Sequence, residues 1–171
     1  KHTESKHVSD LLTVQFFIGI ANAFINIVAF TLFIQTLSVT EIPQAYVVIA
    51  FSLLIINLGY EKLEHMFTPL QLLKVIVASS ALILVVLWIG LEQWNQHTFV
   101  FALVVFSFLI YMITGYAFWG LVSLLYNIRE SKRVFSIVGS GDIPAKLIGY
   151  LSSYLLIPII GLNNLIWVAI L

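Results

Sequence analysis

The sequence contains no cysteine in its 171 residues. Disulfides, thiolate metal sites, Cys-attached haem and thiol catalysis are excluded together. Charge is scarce as well. Only 9% of residues are Asp, Glu, Lys or Arg, against about 25% in an ordinary soluble domain. Eight basic and eight acidic residues cancel, so no overall cationic excess exists to hold nucleic acid or an anionic surface. A catalytic constellation is missing too. The four His residues are scattered near the start and in polar breaks, and Glu61, Glu64 and His65 share one polar turn without an HExxH pattern. The stretch GSGDIPAK (139–146) lacks the GK[ST] ending of a phosphate loop and has no strand before it. We therefore expect no enzyme, no cofactor and no metal site.

Apolar residues are what the chain has in excess: 61% of it, with a mean hydropathy of +1.05. A chain this short cannot bury so many in a soluble core. Its solvent must be lipid, which predicts a polytopic membrane protein. Runs such as LILVVLWIGL and FVFALVVFSFLIYMI do not alternate. A β-barrel needs alternation, whereas helices satisfy their own backbone hydrogen bonds in lipid. An all-α polytopic membrane protein follows.

A span needs about 20 mainly apolar residues. On that basis residues 1–10 form a polar N-terminal segment and 11–171 a transmembrane bundle. Helices are expected at about 11–37, 43–60, 69–91, 98–126 and 132–157, with an incomplete sixth from 162 to 171. Pro158, Gly161, Asn163 and Asn164 read as the turn before it. There is no initiator Met, and the last residues remain apolar to Leu171. A longer protein is the expectation, with a second half or a further domain as partner beyond residue 171.

The few charges set the orientation. Lys1 and Lys6, Lys62 with Lys74, and the turn Arg129, Lys132 and Arg133 all fall on one side of the spans. The breaks around Glu41 and Glu92 hold no Lys or Arg. The excess of Lys and Arg on cytoplasmic loops then predicts a cytoplasmic N-terminus, in a membrane such as a bacterial inner membrane.

Several polar residues lie inside the spans. Asn22 and Asn26 fall within about 20° of Gln15, on either side of it, on the first helix, with Gly19 on the same stripe. They read either as the wall of a solute cavity or as hydrogen-bonding glue between helices. The fourth helix offers Ser107, Tyr111 and Thr114, then Gly115, Tyr116, Trp119 and Gly120. The hydroxyls either face a cavity or bond back to their own helix. On the fifth helix Asp142 and Lys146 stand four apart, acid first, so they can pair. Ionisable residues at such depth are expensive and tend to be functional. The alternative is an interfacial pair, with Asp142 capping a helix restart. Pro144 between them is expected to kink the helix.

The stretch GYAFWGLVSLLYNIRESKRVFSIVGSGDIPAKLIGYL carries an aromatic pair, Phe118 and Trp119. A basic turn, Glu130–Ser131–Lys132–Arg133, follows, and then a G-x-G pattern at Gly139 and Gly141. With the YEKL turn at 60–63, this resembles the N-terminal half of the nucleotide (ATP/ADP) transporter family and its bacterial relatives in the major facilitator superfamily. The resemblance spans about 40 residues. It implies a facilitator-type six-helix half bundle, with the sixth helix truncated, that lines a solute path with its first and fourth helices. The implied function is part of a secondary transporter moving a small solute by alternating access. The path residues would be Asp142, Lys146, Gln15, Asn22, Asn26, Tyr111, Thr114 and Trp119. The family's nucleotide carriers have a charged cluster near the end of the first helix. Here that region reads FTLFIQTLSVTEIP (30–43), without Lys or Arg, and the substrate stays open. The other reading is a non-transporting membrane sensor or assembly module attached to a soluble domain.

Overall fold

The computed structural model describes the backbone of residues 2–94, 96–126 and 128–171, and the side chains of residues 8–94, 96–126 and 134–171. Within these residues the protein is all-helical and contains no strand. Seven helices follow one another: α1 (His2–Thr36), α2 (Glu41–Met66), α3 (Pro69–Gln93), α4 (Gln96–Leu125), α5 (Ile128–Ser140), α6 (Asp142–Ile160) and α7 (Leu165–Ile170). Five segments are long and apolar enough to cross a bilayer: Val8–Thr36, Glu41–Met66, Pro69–Gln93, Gln96–Leu125 and Val134–Ile160. The architecture is that of a helical integral membrane protein.

The boundaries differ from the sequence expectation where polar residues form good helix. Helix α1 runs through the polar N-terminal residues from His2. Helix α2 does not stop near Tyr60 but carries EKLEHM to Met66, because Glu, Lys, Leu and Met all favour helix. It ends where Phe67 and Thr68 turn extended, at ψ 149° and 151°. Thr68 precedes Pro69, whose ring disfavours a helical residue before it. The Gln71 side chain then accepts from the Thr68 N–H at 3.2 Å, which helps to start α3.

The fifth expected helix is two helices. The chain breaks at Gly141, three residues before the proline expected to kink it. Pro144 is thus the third residue of α6, within the first turn, where backbone N–H groups have no intrahelical partner. Its missing donor costs little there. The break is tight: the Gly141 N–H reaches back to the Val138 carbonyl at 3.1 Å. Pro158 also differs from expectation, lying inside α6 rather than in the following turn. That helix ends at Gly161, whose φ of +84° is open to glycine and strained for other residues.

Two helices are central. Helix α1 touches α4, α5, α6 and α7, and α4 touches α1, α2, α3 and α5. Helix α2 is peripheral, with only Ala45 and Ile49 buried and Phe51, Leu54, Ile55 and Leu58 turned outward. One apolar cluster joins Phe24, Val28 and Leu32 of α1 to Leu84, Leu103, Leu165 and Ile166. A second, at the other end, joins Leu11, Leu72, Phe118, Val122, Val134 and Val138. Between these clusters lie the buried polar residues Gln15, Asn22, Ser80 and Thr114.

A close seam joins α1 and α6. A Cβ added at Gly19 would lie 2.7 Å from the Cβ of Ala145, and one added at Gly149 would lie 2.6 Å from the Cβ of Ala23. The helices thus interlock through two four-residue steps of small residues, Gly19/Ala23 against Ala145/Gly149. In lipid no hydrophobic force drives helices together, and such steps let backbones approach for dispersion contacts. Helix α6 is brought against the polar stripe of α1 in this way.

Candidate functional site

Helix α6 crosses α1 at Gly19, and this places the charge pair. An aspartate oxygen, Oδ1 of Asp142, lies 3.3 Å from where a Gly19 Cβ would stand. The missing side chain leaves the carboxylate its room. From Asp142, one turn of helix reaches Lys146, whose Nζ donates to Asp142 Oδ2 at 2.7 Å. The ammonium also sits over the Tyr111 ring of α4, 4.7 Å from its centroid, in a cation–π arrangement. The two charged side chains retain 24% and 25% of their accessible surface.

Depth follows from the spans. Asn22 lies fourteen residues from either end of Val8–Thr36, and Tyr111 lies fifteen from Gln96 and fourteen from Leu125. Lys146 lies twelve from Val134 and fourteen from Ile160. All three are near the middle of their spans. A lone charge there would cost about 3 kcal/mol on insertion scales. Pairing, the ring face and the residual accessibility reduce that cost.

Two cavities flank the pair. The larger, about 420 Å³, is bounded by Lys146 and Tyr150 of α6, Asn26, Phe30 and Thr31 of α1, and Phe108 and Tyr111 of α4. The smaller, about 280 Å³, is bounded by Asp142, Gly139, Gln15, Asn22, Tyr111, Thr114, Tyr116 and Trp119. Tyr111 is the wall they share. All eight path residues expected from the sequence line one cavity or the other.

The amides and the hydroxyls behave differently. Among the described residues, Gln15, Asn22 and Asn26 make no side-chain hydrogen bond to another helix. Each borders one of the two cavities, Gln15 and Asn22 the smaller and Asn26 the larger. Ser107 and Thr114 instead bond back to their own helix, Ser107 Oγ to the Val104 carbonyl at 2.7 Å and Thr114 Oγ1 to the Ile110 carbonyl at 2.6 Å. Ser107 lines neither of the two cavities, whereas Thr114 still bounds the smaller one.

The residues that carry the family resemblance pack α4 on α5. Phe118 is fully buried and edge-on to Trp119 at 5.4 Å, and Trp119 is edge-on to Phe135 at 5.3 Å. Gly139 faces the Trp119 ring, and a Cβ added there would stand 3.5 Å from the nearest ring carbon, in ordinary van der Waals contact. The basic turn Arg129, Lys132 and Arg133 lies outside the residues whose side chains are described. No cluster of three metal-ligating side chains occurs among the described residues.

Phe30, Thr31, Phe108 and Tyr150 line the larger cavity without having been singled out from the sequence. A partial signal exists, since Phe30 is four residues after Asn26 and Tyr150 four after Lys146, on the same helical faces.

At the opposite end from the N-terminus, the two acids of the Lys- and Arg-free breaks are both engaged. Glu41 pairs with His97 at 3.2 Å and accepts from the Ser38 N–H at 3.2 Å. Glu92 accepts from Asn163 at 2.9 Å. These contacts tie α2 to α4 and α3 to the turn before α7.

No family model, curated protein or solved structure matches the chain.

Proposed function

We propose that the protein is part of a secondary transporter that moves a small solute by alternating access. The observation that carries this reading is the convergence of Lys146, Asp142 and three amides without helix–helix hydrogen bonds on two adjoining cavities inside the membrane spans. A purely structural bundle has no use for a cation, an anion and three amides facing space at that depth, because each is expensive in lipid. The central positions of α1 and α4 favour the facilitator-type arrangement, in which those helices line the path. In that reading the bundle is one half of a facilitator. A second half covers the larger cavity, whose rim residues Phe30, Ile34, Tyr111 and Tyr150 are exposed. The N-terminus faces the cytoplasm, as the distribution of Lys and Arg suggests.

A single cation already matched by Asp142 cannot neutralise a nucleotide polyphosphate, so that substrate is disfavoured. The test is uptake of a labelled solute panel by the intact protein in proteoliposomes, with Lys146→Gln as control. A solute taken up by the parent and not by the variant supports the reading. A protein that is folded, correctly oriented and inactive against every class of small solute would sink it.

A further inference from the structure

The charge pair is split between the two cavities. Lys146 bounds the larger and not the smaller, while Asp142 bounds the smaller and not the larger. Around Lys146 stand Asn26, Thr31 and the aromatic rings of Phe30, Phe108, Tyr111 and Tyr150. That lining offers one positive charge, a few neutral polar groups and flat apolar walls. Around Asp142 stand Gln15, Asn22, Thr114 and the hydroxyl-bearing Tyr111 and Tyr116. That lining offers one negative charge among neutral polar groups. No other Asp, Glu, Lys, Arg or His among the described residues bounds either cavity, and the other titratable groups there are Tyr111, Tyr116 and Tyr150.

We infer that the larger cavity binds a small organic monoanion with a flat apolar body through Lys146, and that Asp142 binds a proton when it does. The inference deepens the transporter reading and rests on it. Its logic is charge balance in a medium of low polarity. Lys146 and Asp142 neutralise each other at 2.7 Å. An incoming carboxylate can engage the ammonium from the larger cavity, taking over the hydrogen bond that Lys146 donates to Asp142. The aspartate is then a carboxylate without its counter-charge inside a membrane span, and an unbalanced charge there is costly. A proton from water adds to a carboxylate oxygen of Asp142, and the O–H formed there finds amide and hydroxyl oxygens in the smaller cavity. Lysine stays an ammonium throughout. The site carries zero net charge before binding, from Lys146 and Asp142, and zero afterwards, from Lys146, the bound anion and neutral Asp142. An anion and a proton enter together because either alone leaves an unbalanced charge. A dianion would leave one negative charge uncovered, and an organic cation would meet Lys146 in the cavity large enough to hold it.

The experiment is calorimetric titration of the intact protein in lipid nanodiscs with benzoate, benzamide and benzylamine, which share a ring and differ in charge. Titration in two buffers of different ionisation enthalpy gives the protons taken up per ligand. Benzoate is expected to bind with uptake of close to one proton, while benzamide and benzylamine bind at least about tenfold more weakly. In Asp142→Asn the proton uptake disappears and benzoate binds more tightly, because its competitor for Lys146 is gone. In Lys146→Gln benzoate affinity falls by about tenfold or more. Benzoate binding without proton uptake in the parent protein overturns the coupling and leaves the transporter reading untouched. Preference for benzylamine overturns the charge assignment, and failure of all three probes overturns the ligand class. The parent protein alone decides each of these, so a misfolded variant does not block the test. Failure of the transporter reading shows separately, as absence of uptake across the wider solute panel.

Discussion

Replacing Gly149 by Ala tests the seam that positions the charge pair. The new Cβ would stand 2.6 Å from the Cβ of Ala23, with the Ile20 carbonyl oxygen at 3.3 Å and the Ile20 Cα at 3.4 Å behind it. Carbon atoms prefer about 3.5–4.0 Å, so the helices must separate locally by about 1 Å. Both methyl groups are fixed directly to backbone, and no rotamer change relieves the overlap. Overpacking of this kind costs about 1–3 kcal/mol. Intrinsic helix preference opposes it, since Ala is favoured over Gly by about 1 kcal/mol. The expected balance is no gain in stability and a loss of up to about 2 kcal/mol. Adding Ala23→Gly removes the facing methyl and exchanges the two residues across the seam. The double variant should recover to within about 0.5 kcal/mol of the parent. Reversible unfolding in mixed micelles, followed by circular dichroism over increasing SDS fraction, measures each variant. A Gly149→Ala protein more stable than the parent by about 1 kcal/mol, the full helix preference of Ala over Gly, would refute the close approach of α1 and α6. A double variant whose loss equals the sum of the singles would refute the pairing of Ala23 with Gly149.

Two further outcomes are expected. Asp142→Ala and Lys146→Ala should each destabilise by about 1–2 kcal/mol, less than for a fully buried pair because both side chains keep a quarter of their exposure. The double variant should lose less than the sum, and a double-mutant cycle with zero coupling would remove the ion pair from the account. Because the chain lacks Cys, single Cys substitutions report sidedness directly. Gln44→Cys should react with an impermeant reagent from outside intact cells and Met66→Cys only after permeabilisation. The reverse pattern would overturn the orientation.

The candidate site was legible in parts. Helical periodicity placed Gln15, Asn22 and Asn26 on one stripe, and the spacing of Asp142 and Lys146 placed them within reach of each other. Periodicity acts within one helix, so it could not show that the stripe of α1 meets the face of α6. Nor could it show that Lys146 lies over Tyr111, a residue 35 positions away in the chain. The readings of the polar groups also separated only in three dimensions. Identical arguments from cost in lipid applied to Asn22 and Ser107, yet one borders a cavity and the other is satisfied by its own helix. The difference is reach. A serine hydroxyl can bond the carbonyl three residues back, while an asparagine amide extends past its own backbone and meets whatever the neighbouring helix leaves open.

The break in the fifth span shows the same division. Pro144 announced that the helix could not run undisturbed, but proline tolerates the first turn of a helix as readily as it disrupts the middle. Which of these applied depended on where the chain restarted, and Gly141 set that point. The sequence by itself determined the solvent, the helical class and the expected sidedness. Those depend on additive properties: the apolar content of each 20-residue stretch, its backbone demand for internal hydrogen bonds, and the loops on which lysine and arginine fall. Only the tertiary structure decided that Lys146 and Asp142 open into different cavities. That outcome depends on the fit of Gly19 and Ala23 against Ala145 and Gly149, a matter of ångströms between helices far apart in the chain.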